Sequence, residues 1–403
     1  MAIPISPPNG INPNPEAGPS SPKYQLSQTL TAHRRAVTAL RFSNDGKTLL
    51  SAGADGWLHF WDPETGEHVR GFRAHKTGIN DISISPDSLY IATASDDCTS
   101  LVYYLNPPPS TINFTSSGND NTNELNEEED VKDDSNGTGH TKENEPLRIL
   151  KGHTAPVLSI SFSPKSNLLV TGSFDESAII WDLKKGKILK NLPAHADPIW
   201  CVNFDNEGAM VLTASLDGLI RLWDVSSGQC LKTLDNDTNS PVSFASFTPS
   251  PYFLLSSTLS STLRIYNIHT SKVLKTIQSP NLYISEKFPC PSIIFAKPNL
   301  SSSSVDVVED GDDANQEKMD IDVDGKNEDR NSKVTNHKDK QDAWIITGSE
   351  NGKLIIWDLQ SKSVIQVLQS HNSTVVAVAV HPSGRIIASG SLEPEKAIKL
   401  WRI

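Results

Sequence analysis

Short runs of alternating apolar and polar side chains recur along this chain, separated by Gly, Asp and Asn. Ala178-Ile179-Ile180-Trp181 and Leu354-Ile355-Ile356-Trp357 are typical. Such runs, broken by turn residues, predict half-buried β-strands. Asn44-Asp45-Gly46 and Glu350-Asn351-Gly352 predict tight hairpins, because Gly accepts the positive φ those turns require. A longer period is laid over the strands. His33 precedes Trp61, His75 precedes Tyr103, His153 precedes Trp181 and His195 precedes Trp223, each by 28 residues. His371 precedes Trp401 by 30. An Asp lies six residues before the aromatic in the four equal copies: Asp55, Asp97, Asp175 and Asp217. Trp61, Trp181, Trp223 and Trp357 are each followed at once by Asp.

Self-similarity at this period is the signature of the WD40 repeat, in which each unit is one four-stranded blade. The expected fold is all-β, a seven-bladed WD40 β-propeller. Its blades are marked by Trp61, Tyr103, Trp181, Trp223, Tyr266, Trp357 and Trp401. Blade 5 is degenerate: it lacks the leading His, has Ser260 in place of the Asp, and closes on Tyr266-Asn267. The chain stops just after the third strand of blade 7, which would leave an open edge. Tyr24–Leu30 is therefore predicted to supply the outer strand of that blade and close the ring.

Composition divides the chain further. The formal net charge of the 403 residues is −12. Residues 106–146 hold ten acidic and two basic side chains, and residues 299–341 hold twelve and six. The body of the protein is then close to neutral, which argues against a basic nucleic-acid footprint. Both inserts are poor in aromatics and rich in Asn, Asp, Glu and Ser, so they cannot bury enough apolar surface to offset their ordering entropy. Disorder is expected for them and for a Pro-rich tail over residues 1–23, leaving residues 24–403 as the propeller. The first insert is expected between blades 2 and 3, the second within a strand-to-strand loop of blade 6. Residues 1–22 have no basic and apolar leader pattern, and no apolar run is long enough to span a bilayer. Cys98, Cys201, Cys230 and Cys290 show no paired spacing, which fits the cytosol or nucleus.

Several constellations resemble catalytic or metal sites. His153, Ser173, Asp175 and Trp181 contain a Ser/His/Asp set, but the set recurs as His195, Ser215, Asp217 and Trp223, and again as His75, Ser95, Asp97 and Tyr103. A nucleophile does not repeat at the period of a fold. A buried hydrogen-bonded network in each blade is the expectation instead. Asp320-Ile321-Asp322-Val323-Asp324-Gly325 opens like a calcium loop, yet Asn331 stands where the bidentate Glu belongs. No phosphate loop or metal-spaced His cluster is present, so no enzyme activity, cofactor, metal or small-molecule substrate is expected.

Recognition should fall to the mouth of the central channel. One predicted ring is Ala54, Asp96, Phe174, Leu216, Leu259 and Glu350. The other is Thr38, Asn80, Leu158, Trp200, Ser243 and Ala377. A narrow, mostly apolar well with a carboxylate suits an Arg side chain, whose flat guanidinium stacks and hydrogen-bonds together. A generic wet mouth with scattered polar residues reads the same composition equally well.

Stretches that blade architecture does not dictate carry a more specific likeness. These are 171–177 (TGSFDES), 192–198 (LPAHADP), 226–234 (SSGQCLKTL), 241–244 (PVSF), 348–360 (GSENGKLIIWDLQ) and 395–401 (EKAIKLW). They resemble the WD-repeat subunit of COMPASS (trithorax/SET-domain) histone H3 lysine-4 methyltransferase complexes, and the inserts suggest a fungal-type member. The resemblance implies a non-catalytic nuclear scaffold for chromatin modification and transcription. Its channel mouth would take an arginine from the SET-domain methyltransferase subunit, and histone H3 tail arginines could enter too. Residues matching that pocket are Ala36, Thr38, Ala54, Asn80, Asp96 and Phe174, with Phe288 and Cys290 matching loosely. Leu158 and Leu216 stand at two positions that are usually aromatic. Phe295 is either a further pocket aromatic or a core Phe. A side cleft that would hold another core subunit matches Phe253, Ile265, Lys275 and Gln360. The alternative is a WD40 substrate receptor of a ubiquitin ligase, or a regulatory scaffold in RNA processing.

Overall fold

The computed structural model describes residues 23–107, 144–236, 238–297, 343–369 and 371–403. They form 28 strands in seven four-stranded antiparallel sheets, with no α-helix among the described residues. Blade 1 is representative: β2 (Val37–Phe42), β3 (Leu49–Gly53), β4 (Trp57–Trp61) and β5 (His68–Arg73) run outward from the channel in chain order. Each of the seven aromatic markers lies on the third strand of its sheet.

The ring closes as predicted. β1 (Gln25–Leu30) is the outer strand of the sheet that also holds β26 (Val375–Val380), β27 (Ile386–Ser391) and β28 (Ile398–Arg402). Leu26 lies opposite Trp401 and Thr29 opposite Lys399. Tyr24, just before β1, is buried, and its hydroxyl donates to the Gly384 carbonyl.

Apolar packing runs between sheets. Val170 and Ile180 of blade 3 pack with Ile199, Val202 and Trp223 of blade 4. Leu40 and Trp61 of blade 1 pack with Ile398 and Leu400 of blade 7. Fully burying one such side chain is worth roughly 1.5–3 kcal/mol, so each blade depends on its neighbours for its core. Phe295 belongs to this packing: it is buried and meets Trp344 edge-on at 6.0 Å.

The first insert is placed differently from the expectation. β8 (Thr99–Tyr104) and β9 (Arg148–Lys151) are neighbours in one sheet, so residues 106–146 interrupt blade 2 between its third and outer strands. The four-residue β9 is too short to show an alternation that would have revealed it. The second insert does join two strands of blade 6, β22 (Ser292–Ala296) and β23 (Ala343–Gly348). The disorder expected of the tail and the inserts concerns residues that lie, apart from short flanks, outside the described ones, as does the calcium-like Asp320 motif.

Candidate functional site

The repeated His and Asp residues build scaffold. The His153 Nδ1 lies 2.9 Å from Asp175 Oδ2, and its Nε2 lies 2.8 Å from Thr171 Oγ1. Trp181 Nε1 donates to the same Thr171 hydroxyl at 2.8 Å. One proton arrangement satisfies every group: Trp181 N–H to Thr171, Thr171 O–H to His153, His153 N–H to Asp175. The chain repeats with Thr213 between His195 and Trp223, with Ser51 between His33 and Trp61, and with Ser389 between His371 and Trp401. The hydroxyl in the relay is thus 18 residues beyond the His. The predicted Ser173 is not a member: it donates to the Pro156 carbonyl at 2.8 Å, Ser95 to the equivalent Gly78 carbonyl, and Ser215 to the Asp197 carbonyl one residue earlier. Strand geometry explains the error, since residues 171 and 173 share one face and only the first lies level with the indole.

Burial holds these imidazoles below their usual range, against the pull of the paired carboxylates, in His75, His153 and His195. In His371, burial outweighs Glu395 and brings the pKa to about 4. Burial alone would raise Asp55, but the bond and charge of His33 and the backbone N–H groups of Arg34 and Trp57 lower it to about 2. In blade 7 Glu395 takes the carboxylate's place, its Oε2 3.1 Å from His371 Nδ1 but out of line for a hydrogen bond. Two extra residues between Ser389 and Trp401 account for the longer step there.

The channel mouth is built from two backbone devices. In six blades the backbone N–H of the residue after the second strand donates to the carbonyl of the residue before the first strand. The pairs are Ala54 to Ala36, Asp96 to Gly78, Phe174 to Pro156, Leu216 to Pro198, Leu259 to Pro241 and Leu392 to Thr374, all at 2.9–3.1 Å. The inner strands also carry a β-bulge, which leaves one residue unpaired and re-aims its side chain. In blades 1 to 5 the bulge residues are Thr38, Asn80, Leu158, Trp200 and Ser243. In blade 7 the bulge residue is Val376, whereas the predicted Ala377 is paired with Gly390 and buried in the core. The bulge ring lines a channel cavity of about 430 Å³, with Thr38, Asn80, Leu158, Trp200, Ser243 and Val376 among its walls.

At the mouth, Asn80 Nδ2 donates to Asp96 Oδ1 at 2.8 Å and to the Val157 carbonyl at 2.9 Å. With both amide hydrogens used, Asn80 keeps only acceptor capacity. Asp96 is exposed, and Gly78 leaves its second oxygen open: a Cβ there would lie 3.0 Å from Oδ2. Phe174 is 55% exposed on the next blade. Leu158, Leu216 and Leu259 are half-buried, and Ala36 is buried.

Blade 6 departs from the pattern. The Gln278–Pro291 loop folds over the blade, and Glu350 Oε1 accepts the backbone N–H groups of Glu286, Lys287 and Phe288 at 2.5–2.9 Å. One oxygen of the half-buried Glu350 is therefore committed to its own loop, and Asp96 is the more exposed acid of the mouth pair. Phe288 is 41% exposed on this loop. Cys290 is not available as a pocket residue: it is fully buried with Tyr283 and Ile345, and burial pushes its thiol up to about 12. Cys201, buried on the inner strand of blade 4, is raised to about 12 for the same reason.

The proposed side-cleft residues do gather where blades 5 and 6 meet, but not all at the surface. Ile265 is buried, Phe253 is half-buried against the same core, and Gln360 is exposed. Lys275 Nζ donates to the carbonyls of Leu359 and Gln360 at 2.7 and 3.3 Å. That bond is one instance of a device the sequence reading missed. In every blade, one outer-strand residue lies opposite the residue preceding the marker aromatic: Gln28, Arg70, Arg148, Lys190, Lys232, Lys275 and Gln366. Six of them reach backbone carbonyls in the next blade at 2.6–3.1 Å: Thr65, Leu105, Lys184, Ile268, Leu359 and Tyr24. A long polar residue at a fixed outer-strand position was the signal available in the sequence.

A closed ring of sheets that consumes its repeated polar residues internally and leaves its mouth and grooves for contact is a WD40 protein-interaction propeller. The chain belongs to the WDR5 beta-propeller domain family, whose model matches residues 29–402. Among curated relatives, WD repeat-containing protein 1 of Xenopus tropicalis is 30% identical over 179 residues, 41% of this chain and 30% of that protein. Actin-interacting protein 1 of Drosophila melanogaster is 29% identical over 175 residues, 41% of this chain and 29% of that protein. Nuclear distribution protein PAC1 of Arthroderma otae is 26% identical over 170 residues, 40% of this chain and 34% of that protein. In these matches the chain spans about a third or less of the relatives' length.

Proposed function

We propose that this propeller docks an arginine-containing peptide at its channel mouth and serves, without catalysis of its own, as a scaffold of a SET-domain histone H3 lysine-4 methyltransferase complex in the nucleus. One observation carries the reading. Asp96 presents an open carboxylate oxygen beside the acceptor of Asn80 and the exposed ring of Phe174, in a mouth whose other residues are mostly small or apolar, Trp200 among them. A guanidinium can donate hydrogen bonds to the first two while stacking on the third. The match of the family model along nearly the whole chain supports the same reading.

The test is calorimetric. A peptide from the methyltransferase partner is compared with its Arg→Ala version, and loss of the anchor should weaken binding by roughly 2–5 kcal/mol. Asp96→Ala should remove part of that difference. Equal binding of the two peptides dismisses the arginine role. Affinity purification that recovers ubiquitin-ligase subunits and no SET-domain protein dismisses the complex.

A further inference from the structure

Seven outer-strand residues are placed to clamp each blade to the next, and Lys190 is the exception among them. Its register is the same, opposite Ile180 and one residue before the level of Trp181. Its stem lies along the next blade, 3.2 Å from where a Cβ on Gly228 would sit. Yet its ammonium makes no hydrogen bond or ion pair with any described residue. The carbonyl positions used by the other clamps fall here at Val225 and Ser226, which line a groove with Lys190 and Leu189. The groove lies between blades 3 and 4 and encloses about 350 Å³. Its one acid, Asp224, accepts the hydroxyls of Ser226 and Ser227 and the Ser227 backbone N–H on Oδ2 at 2.6–2.7 Å, and makes no ion pair with Lys190.

Charge marks this groove further. Lys184, Lys185 and Lys187 precede Lys190 on the same edge and are all exposed. Lys185 leans on Asp182 at 3.5 Å, so the four lysines outnumber the two acids beside them, Asp182 and Asp224. Between them, Ile188 and Leu189 are each 46% exposed. Exposed aliphatics at the bulge of an outer strand also occur in other blades, at Val69, Leu231 and Leu274. The unpartnered ammonium and the lysine run are what set blade 3 apart. A half-buried cation without an acceptor, flanked by apolar surface, is complementary to a carboxylate carried on an aliphatic segment.

We propose that the groove between blades 3 and 4 is a second docking site, which takes a short acidic and aliphatic segment of a partner protein with a carboxylate on Lys190. The segment lies along the outer edge of blade 3, its aliphatic side chains against Ile188, Leu189 and Val225. This site is independent of the channel mouth and does not rest on the arginine reading.

The experiment uses the full chain and a fluorescent peptide that alternates aspartate with leucine. Lys190→Gln should weaken its binding roughly tenfold, and binding should weaken as salt rises. The equivalent clamp variant Lys232→Met should leave peptide binding unchanged while lowering the unfolding temperature. Lys190→Met should leave that temperature where it is, because no internal bond is lost. The proposal is overturned by no binding of the peptide, by binding that Lys190→Gln leaves intact, or by binding abolished by an excess of the arginine peptide. A fall in unfolding temperature for Lys190→Met equal to that for Lys232→Met also overturns it, since Lys190 would then be an ordinary clamp. If Lys190→Gln instead converts a dimeric chain to a monomer in sedimentation, the occupant is a second copy and the partner-segment assignment is wrong.

Discussion

Lys275 of blade 5 holds the backbone carbonyl of Leu359 in blade 6 at 2.7 Å. The bond makes a residue expected to bind a partner into part of the wall between two blades. Lys275→Met keeps the stem and removes the donor, and it should lower stability by about 1 kcal/mol. Urea unfolding of the two chains checks this. Unchanged midpoints together with lost partner binding would return Lys275 to the role of a contact residue.

Thr171 is the shared hydroxyl between His153 and Trp181. Thr171→Val preserves shape and leaves two buried ring nitrogens without partners, so it should destabilise by about 3 kcal/mol. Asp175→Asn should also lower stability, because the carboxylate takes the Thr154 and Ser177 backbone N–H groups as well as His153. Neither variant should create a defect in any chemical step. Calorimetric unfolding that shows wild-type stability for both would refute the relay.

Acid should loosen the ring before it protonates most carboxylates. His371 is held near 4 in the folded state, against an ordinary value of 6.5. Between those values the unfolded chain binds more protons than the folded one, so stability falls as pH drops through that window and levels off beneath it. The full span for this one residue is about 3 kcal/mol. His75, His153 and His195 are lowered too and add in the same direction. Urea midpoints measured from pH 7.5 to 4.5 should decline, and a flat profile would show that the imidazoles are not buried neutral.

Removal of residues 1–32 deletes β1 and leaves Trp401 and Leu400 without their outer neighbour. The truncated chain should unfold at a markedly lower temperature and self-associate through the bared edge of β28. Sedimentation and thermal unfolding report both effects. A monomer of full stability would mean that another segment closes the blade.

Periodic features were legible in the sequence because the fold repeats. The aromatic step located every third strand, and the missing outer strand of blade 7 pointed to Tyr24–Leu30. Errors arose where one residue of register decides the outcome. Thr171 and Ser173 share a strand face, and only coordinates separate the relay hydroxyl from the one that bonds the Pro156 carbonyl. Val376 takes the mouth position assigned to Ala377 because a bulge adds a residue to the inner strand. Cys290 and Ile265 stand where resemblance assigns contact residues, yet both are buried, and depth within a sheet leaves no periodic mark. The mouth carboxylates, Asp96 and Glu350, read alike in sequence. The loop that occupies Glu350 folds back from more than sixty positions away.

The pairing of β1 with β28 has a consequence for synthesis. The strand that leaves the ribosome first among those described must wait for the one that leaves last. Until then its edge is unmated, while six sheets behind it are already able to assemble from near neighbours. Circularity is therefore a late, all-or-nothing event in the life of this chain, and the nascent protein depends on whatever shields that leading strand in the meantime.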